Sequence, residues 1–103
     1  MTTSFLRHVV LFGFTPETGT DQVAQIVAAF AALPAQIPGI VDFEWGVNVS
    51  PEGIAHGHTH CFLVTFTTEA DRDAYLPHPA HQAFVALLHP HLAHVLVVDY
   101  WTH

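Results

Sequence analysis

Val41-Asp42-Phe43-Glu44-Trp45-Gly46-Val47-Asn48-Val49 alternates without a break, with Val41, Phe43, Trp45, Val47 and Val49 on one side and Asp42, Glu44, Gly46 and Asn48 on the other. Successive side chains of a strand point to opposite faces, so this is a strand with one apolar face. After a loop at Ser50–Gly57, marked by Pro51 and Gly53, the alternation resumes. His58, His60, Phe62, Val64 and Phe66 share one face of a third strand over His58–Phe66. Both apolar faces need a layer of helix to cover them.

That layer is visible on either side. Upstream, Val23, Ile26, Val27, Phe30 and Leu33 follow helical spacing from Asp21 to about Leu33, with Thr20 placed to cap the start. Pro34 and then Pro38-Gly39 close the helix. Before the turn at Thr15–Gly19, Phe5–Phe14 forms a strand with His8, Val10, Phe12 and Phe14 facing one way and Arg7, Val9, Leu11 and Gly13 the other. Downstream, Thr68 with Asp71 three residues on suits a helix cap, and a short helix runs to Leu76. A second helix, Pro79 to about Leu88, carries His81, Phe84, Val85 and Leu88 as its stripe and breaks at Pro90. The last strand, Val95–Trp101, sets Val95, Val97, Asp99 and Trp101 against Leu96, Val98 and Tyr100.

The order β-α-β-β-α-β is the ferredoxin-like α+β arrangement: a four-stranded antiparallel sheet with helices on one face. The 103 residues suffice for a single domain spanning 1–103. The second sheet face is apolar too, and only 11% of residues are charged against roughly 25% in ordinary domains. We therefore expect a homodimer in which two sheets pack face to face as an α/β barrel.

Charge excludes some partners. Two basic and nine acidic side chains give −7 at pH 7, which argues against nucleic acid and against an anionic membrane surface. The ten histidines cancel much of that charge in mild acid, where solubility should be poorest. Cys61 is the sole cysteine, so no intrachain disulfide forms, and no signal segment or membrane span is visible; a cytoplasmic location is expected.

One stretch concentrates chemistry: Tyr75-Leu76-Pro77-His78-Pro79-Ala80-His81. Pro79 fits the first turn of a helix, His78 can cap it, and His81 falls in that first turn. The free N–H groups and positive dipole end there favour a neutral imidazole, which can act as a base near pH 7. The same residues also suit a plain corner between two helices with partly exposed histidines.

With His8-Val9-Val10-Leu11-Phe12, Pro38-Gly39-Ile40, Trp45-Gly46, Thr59-His60, Tyr75 through His81 and Asp99-Tyr100 in this order and spacing, the chain resembles the stress-responsive A/B-barrel domain family over nearly its whole length. The resemblance implies the dimeric α/β barrel. It also implies roles, since a plant polyketide cyclase of that family performs an aldol cyclisation with a histidine matching His81 and a tyrosine matching Tyr75. By the same likeness Asp99 would orient His81, and His8 and His60 would line one ligand pocket, with Val10, Phe30, Phe62 and Phe84 as its wall. Phe30 stands where the cyclase has a tyrosine and Leu92 where it has a tryptophan, so the polyketide substrate is not carried over.

Two functions follow as expectations. In one, His81 is the base and Tyr75 the oxyanion donor for cofactor-free aldol or enol chemistry on a small carbonyl compound. In the other, the protein is a non-catalytic, stress-related or ligand-binding homodimer whose histidines are structural. No cofactor is expected. His58 and His60 point the same way but lack a neighbouring cysteine or carboxylate, so no native metal site is expected. Trp45 and Trp101 are expected in core or dimer interface, and Cys61 as a buried, inert thiol. His89, His91 and His94 are read as a solvated turn.

Overall fold

In the computed structural model, which describes residues 4–103, the alternating stretches become strands β1 Leu6–Phe14, β2 Asp42–Val47, β3 His60–Phe66 and β4 Leu92–Trp101. They form one antiparallel sheet in the order β2-β3-β1-β4. The helices are α1 Thr20–Ala31, α2 Leu33–Gln36, α3 Glu69–Tyr75 and α4 Pro79–Leu88. The ferredoxin-like α+β arrangement is thus the one observed.

Strand phase sorts the core. Leu6, His8, Val10 and Phe12 of β1 and Phe62, Val64 and Phe66 of β3 are buried beneath the helices, with Ile26, Phe30, Phe84 and Leu88 pressing down from α1 and α4. On the opposite face Leu96, Val98 and Tyr100 of β4 are about half exposed, and Cys61 is exposed. The thiol expected to be buried therefore stands on the open face: its register partners Leu11 and Gly46 lie beside it in the sheet, and among the described residues no helix covers that side.

Local chemistry explains the helix boundaries. Thr68 Oγ1 accepts from Asp71 N–H at 3.0 Å, and His78 Nδ1 accepts from Ala80 N–H at 3.0 Å, so both downstream helices start on side-chain caps as expected. At α1 the cap is Gly19, whose N–H donates to Gln22 Oε1 at 2.9 Å, and Thr20 lies inside the first turn. Pro34 does not end a helix but opens the four-residue α2, where its missing N–H costs nothing. β4 begins three residues earlier than the alternation suggests. An irregularity between Gly13 and Phe14 lets Phe14 pair with Leu92 and draws Leu92–His94 into the strand. No helix among the described residues is long and apolar enough to cross a membrane.

Candidate active site

The face of the sheet beneath the helices is not uniformly filled. Between β1 and β4 on one side and α3 and α4 on the other lies a cavity of about 380 Å³. Its lining is almost wholly apolar, from Val10, Phe30, Phe84, Leu92 and Val97 among others, and its polar groups are His8, Tyr75, His81 and Asp99.

Tyr75 ends α3 and is 1% exposed, yet its hydroxyl has no hydrogen-bond partner. An unsatisfied buried hydroxyl costs about 1–3 kcal/mol, so Tyr75 holds its phenol there at a cost to stability. Burial pushes its pKa well above the ordinary tyrosine value, so the hydroxyl keeps its proton and is able to donate a hydrogen bond. The turn Leu76–His78 then brings His81 back over it, with ring centroids 4.4 Å apart.

His81 Nδ1 lies 2.8 Å from the Leu76 carbonyl oxygen. A carbonyl only accepts, so Nδ1 carries the proton and the lone pair sits on Nε2. Burial lowers the pKa of His81, and although the Leu76 carbonyl opposes this, neighbouring His8 and His78 lower it further. His81 is therefore a neutral imidazole at pH 7, half-buried, in the first turn of α4.

Asp99 does not orient His81. The β1–β4 register sets His8 directly opposite Asp99, and His8 Nδ1 meets Asp99 Oδ1 at 2.7 Å. The second carboxylate oxygen accepts from Arg72 of α3 at 3.0 Å. Arg72 was not among the residues singled out above, although one signal pointed to it: it is one of only two basic side chains and stands three residues before Tyr75, on the same helix face.

Two other expected pocket residues lie elsewhere. His60 pairs with Phe12, four residues from the His8 pair, and β3 is on the far side of β1 from β4. There His60 stacks on Trp45 at 6.1 Å, meets Phe14 edge-on at 5.2 Å, and lines a separate hollow with Gly46 and Cys61. Phe62 is fully buried, its ring stacked 4.5 Å from Phe30, and does not reach the cavity. Val10, Phe30 and Phe84 do line it. Among the described residues no group of three or more His, Cys, Asp or Glu side chains is arranged to hold a metal.

A four-stranded antiparallel sheet with helices on one face, over an apolar cavity lined by imidazoles and a phenol, defines a small ferredoxin-like domain. The chain belongs to the stress responsive A/B barrel domain family, which its residues 6–102 match. It is 33% identical over 95 residues to the stress-response A/B barrel domain-containing protein HS1 of Arabidopsis thaliana, covering 92% of this chain and 87% of that one. It is 27% identical over 95 residues to olivetolic acid cyclase of Cannabis sativa, covering 92% and 94% of the two chains. Among solved structures, hydroxynitrile lyase from Passiflora edulis superposes with a TM-score of 0.91 at 25% identity, over 99% of this chain and 96% of that one. A dimeric ferredoxin-like protein of unknown function from Thermobifida fusca superposes with a TM-score of 0.79 at 31% identity, over 94% and 90%.

Proposed function

We propose that the cavity performs cofactor-free acid/base catalysis at a carbonyl group, making or breaking a carbon–carbon bond in a small, largely apolar compound. The observation that carries this reading is the unpartnered, buried Tyr75 hydroxyl beside a neutral His81, with both residues lining an apolar cavity. His81 Nε2 takes a proton from the carbon next to a carbonyl or, in the cleavage direction, from the hydroxyl of an adduct. Tyr75 donates to the oxygen on which negative charge develops, and its buried surroundings strengthen that bond. The two relatives named for a cyclase and a hydroxynitrile lyase bracket this chemistry, since both reactions turn on one carbonyl carbon.

The working unit in this proposal is a homodimer in a reducing compartment such as the cytoplasm. Leu96, Val98 and Tyr100 give β4 an exposed apolar face, and the similar Thermobifida protein is dimeric. Val98→Glu is expected to leave a monomer in sedimentation analysis; a dimer surviving that change would exclude this interface.

The catalytic reading is tested by benzaldehyde release from two probes, the aldol adduct of benzaldehyde with acetone and the cyanohydrin of benzaldehyde. Turnover of either by the native chain should fall about 10²–10⁴-fold in His81→Ala. Turnover equal in the native chain and the variant, or absent in both, would leave the cavity as a binding pocket only.

A further inference from the structure

His81 is backed by a carbonyl, whereas His8 is backed by a carboxylate. The Asp99 carboxylate is itself clamped by Arg72, so it accepts one hydrogen bond on each oxygen, at 2.7 Å from His8 and 3.0 Å from Arg72. His8 is 5% exposed, and its ring meets Tyr75 edge-on at 5.7 Å. With Nδ1 committed to Asp99, Nε2 is the nitrogen left to the cavity that His8 lines. Tyr75 is thus flanked by two imidazoles, at 5.7 Å and 4.4 Å, of which only His8 has a fixed charge behind it.

We propose that His8 is a second proton-transfer group of this cavity, the acid that complements His81, with Asp99 and Arg72 as its positioning pair. The inference rests on the carbonyl chemistry proposed above and assigns the second half of its proton traffic. In the cleavage direction the hydroxyl proton of the adduct passes to His81 Nε2, and the O–H electron pair becomes the second bond of the new carbonyl. The carbon–carbon bond breaks, its electron pair leaves with the departing carbon, and that carbon takes the proton from Nε2 of protonated His8. His81 ends protonated and His8 neutral, and exchange with water restores both. An imidazolium next to Asp99 keeps its orientation through the step, because the carboxylate accepts from Nδ1 whether or not Nε2 is protonated.

The groups facing His8 are Asp99 from β4, Arg72 and Tyr75 from α3 and His81 from α4. Arg72 acts through Asp99. It fixes the second carboxylate oxygen and ties the helix that carries Tyr75 to β4.

The test compares His8→Gln, Asp99→Asn, Arg72→Gln and Arg72→Lys with the native chain on both benzaldehyde-releasing probes, each variant first checked for native dimer size and circular dichroism. His8→Gln is expected to lower kcat by about 10²-fold. Arg72→Gln should lower kcat with little change in KM, and Arg72→Lys should recover part of it. In native protein the His8 ring should show an Nδ1–H signal by nitrogen-15 NMR that Asp99→Asn abolishes. A His8→Gln protein with native kcat, while His81→Ala is inactive, would overturn the proposal and make His8 a wall. Native activity in both histidine variants, or no turnover by the native chain, would instead remove the carbonyl chemistry on which it stands.

Discussion

One sheet face carries two unlike halves. Toward β2 and β3 the space beneath the helices is filled with rings: Phe30 lies 4.5 Å from Phe62, 4.6 Å from Phe84 and 5.3 Å from Phe43, and Phe12 lies 5.2 Å from Phe62. Toward β4 the same layer opens into a cavity of about 380 Å³ edged by His8, Tyr75, His81 and Asp99. Interiors are close-packed by default, and a void beside a partnerless hydroxyl loses both contacts and hydrogen bonding. The filled half supplies stability; the open half gives some of it up at a cavity lined by polar residues.

The contrast breaks most sharply on Phe62→Ala. Removing a fully buried ring from the packed half should destabilise the fold by about 3–5 kcal/mol, read from denaturant midpoints. Tyr75→Phe should do the opposite in the open half. Turnover of the benzaldehyde-releasing probes falls about 10²–10³-fold with the lost oxyanion donor, while the unfolding free energy holds or rises by up to about 1 kcal/mol because an unsatisfied hydroxyl is gone. A loss of stability comparable to that of Phe62→Ala would make Tyr75 a core residue.

Val97 sharpens the comparison at smaller scale. It lines the cavity from β4, is 50% exposed, and sits two residues before Asp99 on the same strand face. Val97→Phe should abolish probe turnover by filling the void, yet shift stability by less than about 1 kcal/mol, since it displaces no packed neighbour. Stability lost in step with activity would show that the space is already occupied.

The smallest effect is the pH response. His81 and His60 both have pKa values lowered by burial, so between those values and the unfolded value near 6.5 the unfolded chain binds more protons than the folded one. Stability is therefore full above about pH 6.5 and declines as pH falls through and below it. Denaturant midpoints should be lower at mildly acidic pH than at neutral pH, and the decline should lessen in His81→Gln. A midpoint that rises on acidification would reverse the sign assigned to these histidines.

The sequence told most about what depends on local pattern. Period two grouped His8, Val10 and Phe12 within β1, Phe62 with its neighbours in β3, and Val95, Val97 and Asp99 within β4, and the register puts these groups on one face; the caps at Thr68 and His78 followed from side-chain chemistry within a few residues. Distance along a strand and competition for a partner are another matter. Alternation allowed His60 the face of His8 but carried no information that β3 pairs His8 with Val64 and carries His60 to the packed end. Asp99 shares that face with both candidate imidazoles, and only the β1–β4 register, with Arg72 reaching across from α3, decides that His8 holds it. Cys61 was misjudged for a similar reason: an apolar strand reads as buried whether or not anything covers its second face.

The most direct test of the central claim, that a carbonyl group binds in the cavity against His81 and Tyr75, is a titration of isotope-labelled protein with acetophenone, followed by NMR at side chains of both halves. The predicted result is saturable shifts at His81, Tyr75, His8 and Val97, with Trp45, His60 and Phe62 unmoved. Shifts centred on Trp45 and His60, or none at His81 and Tyr75, would contradict it.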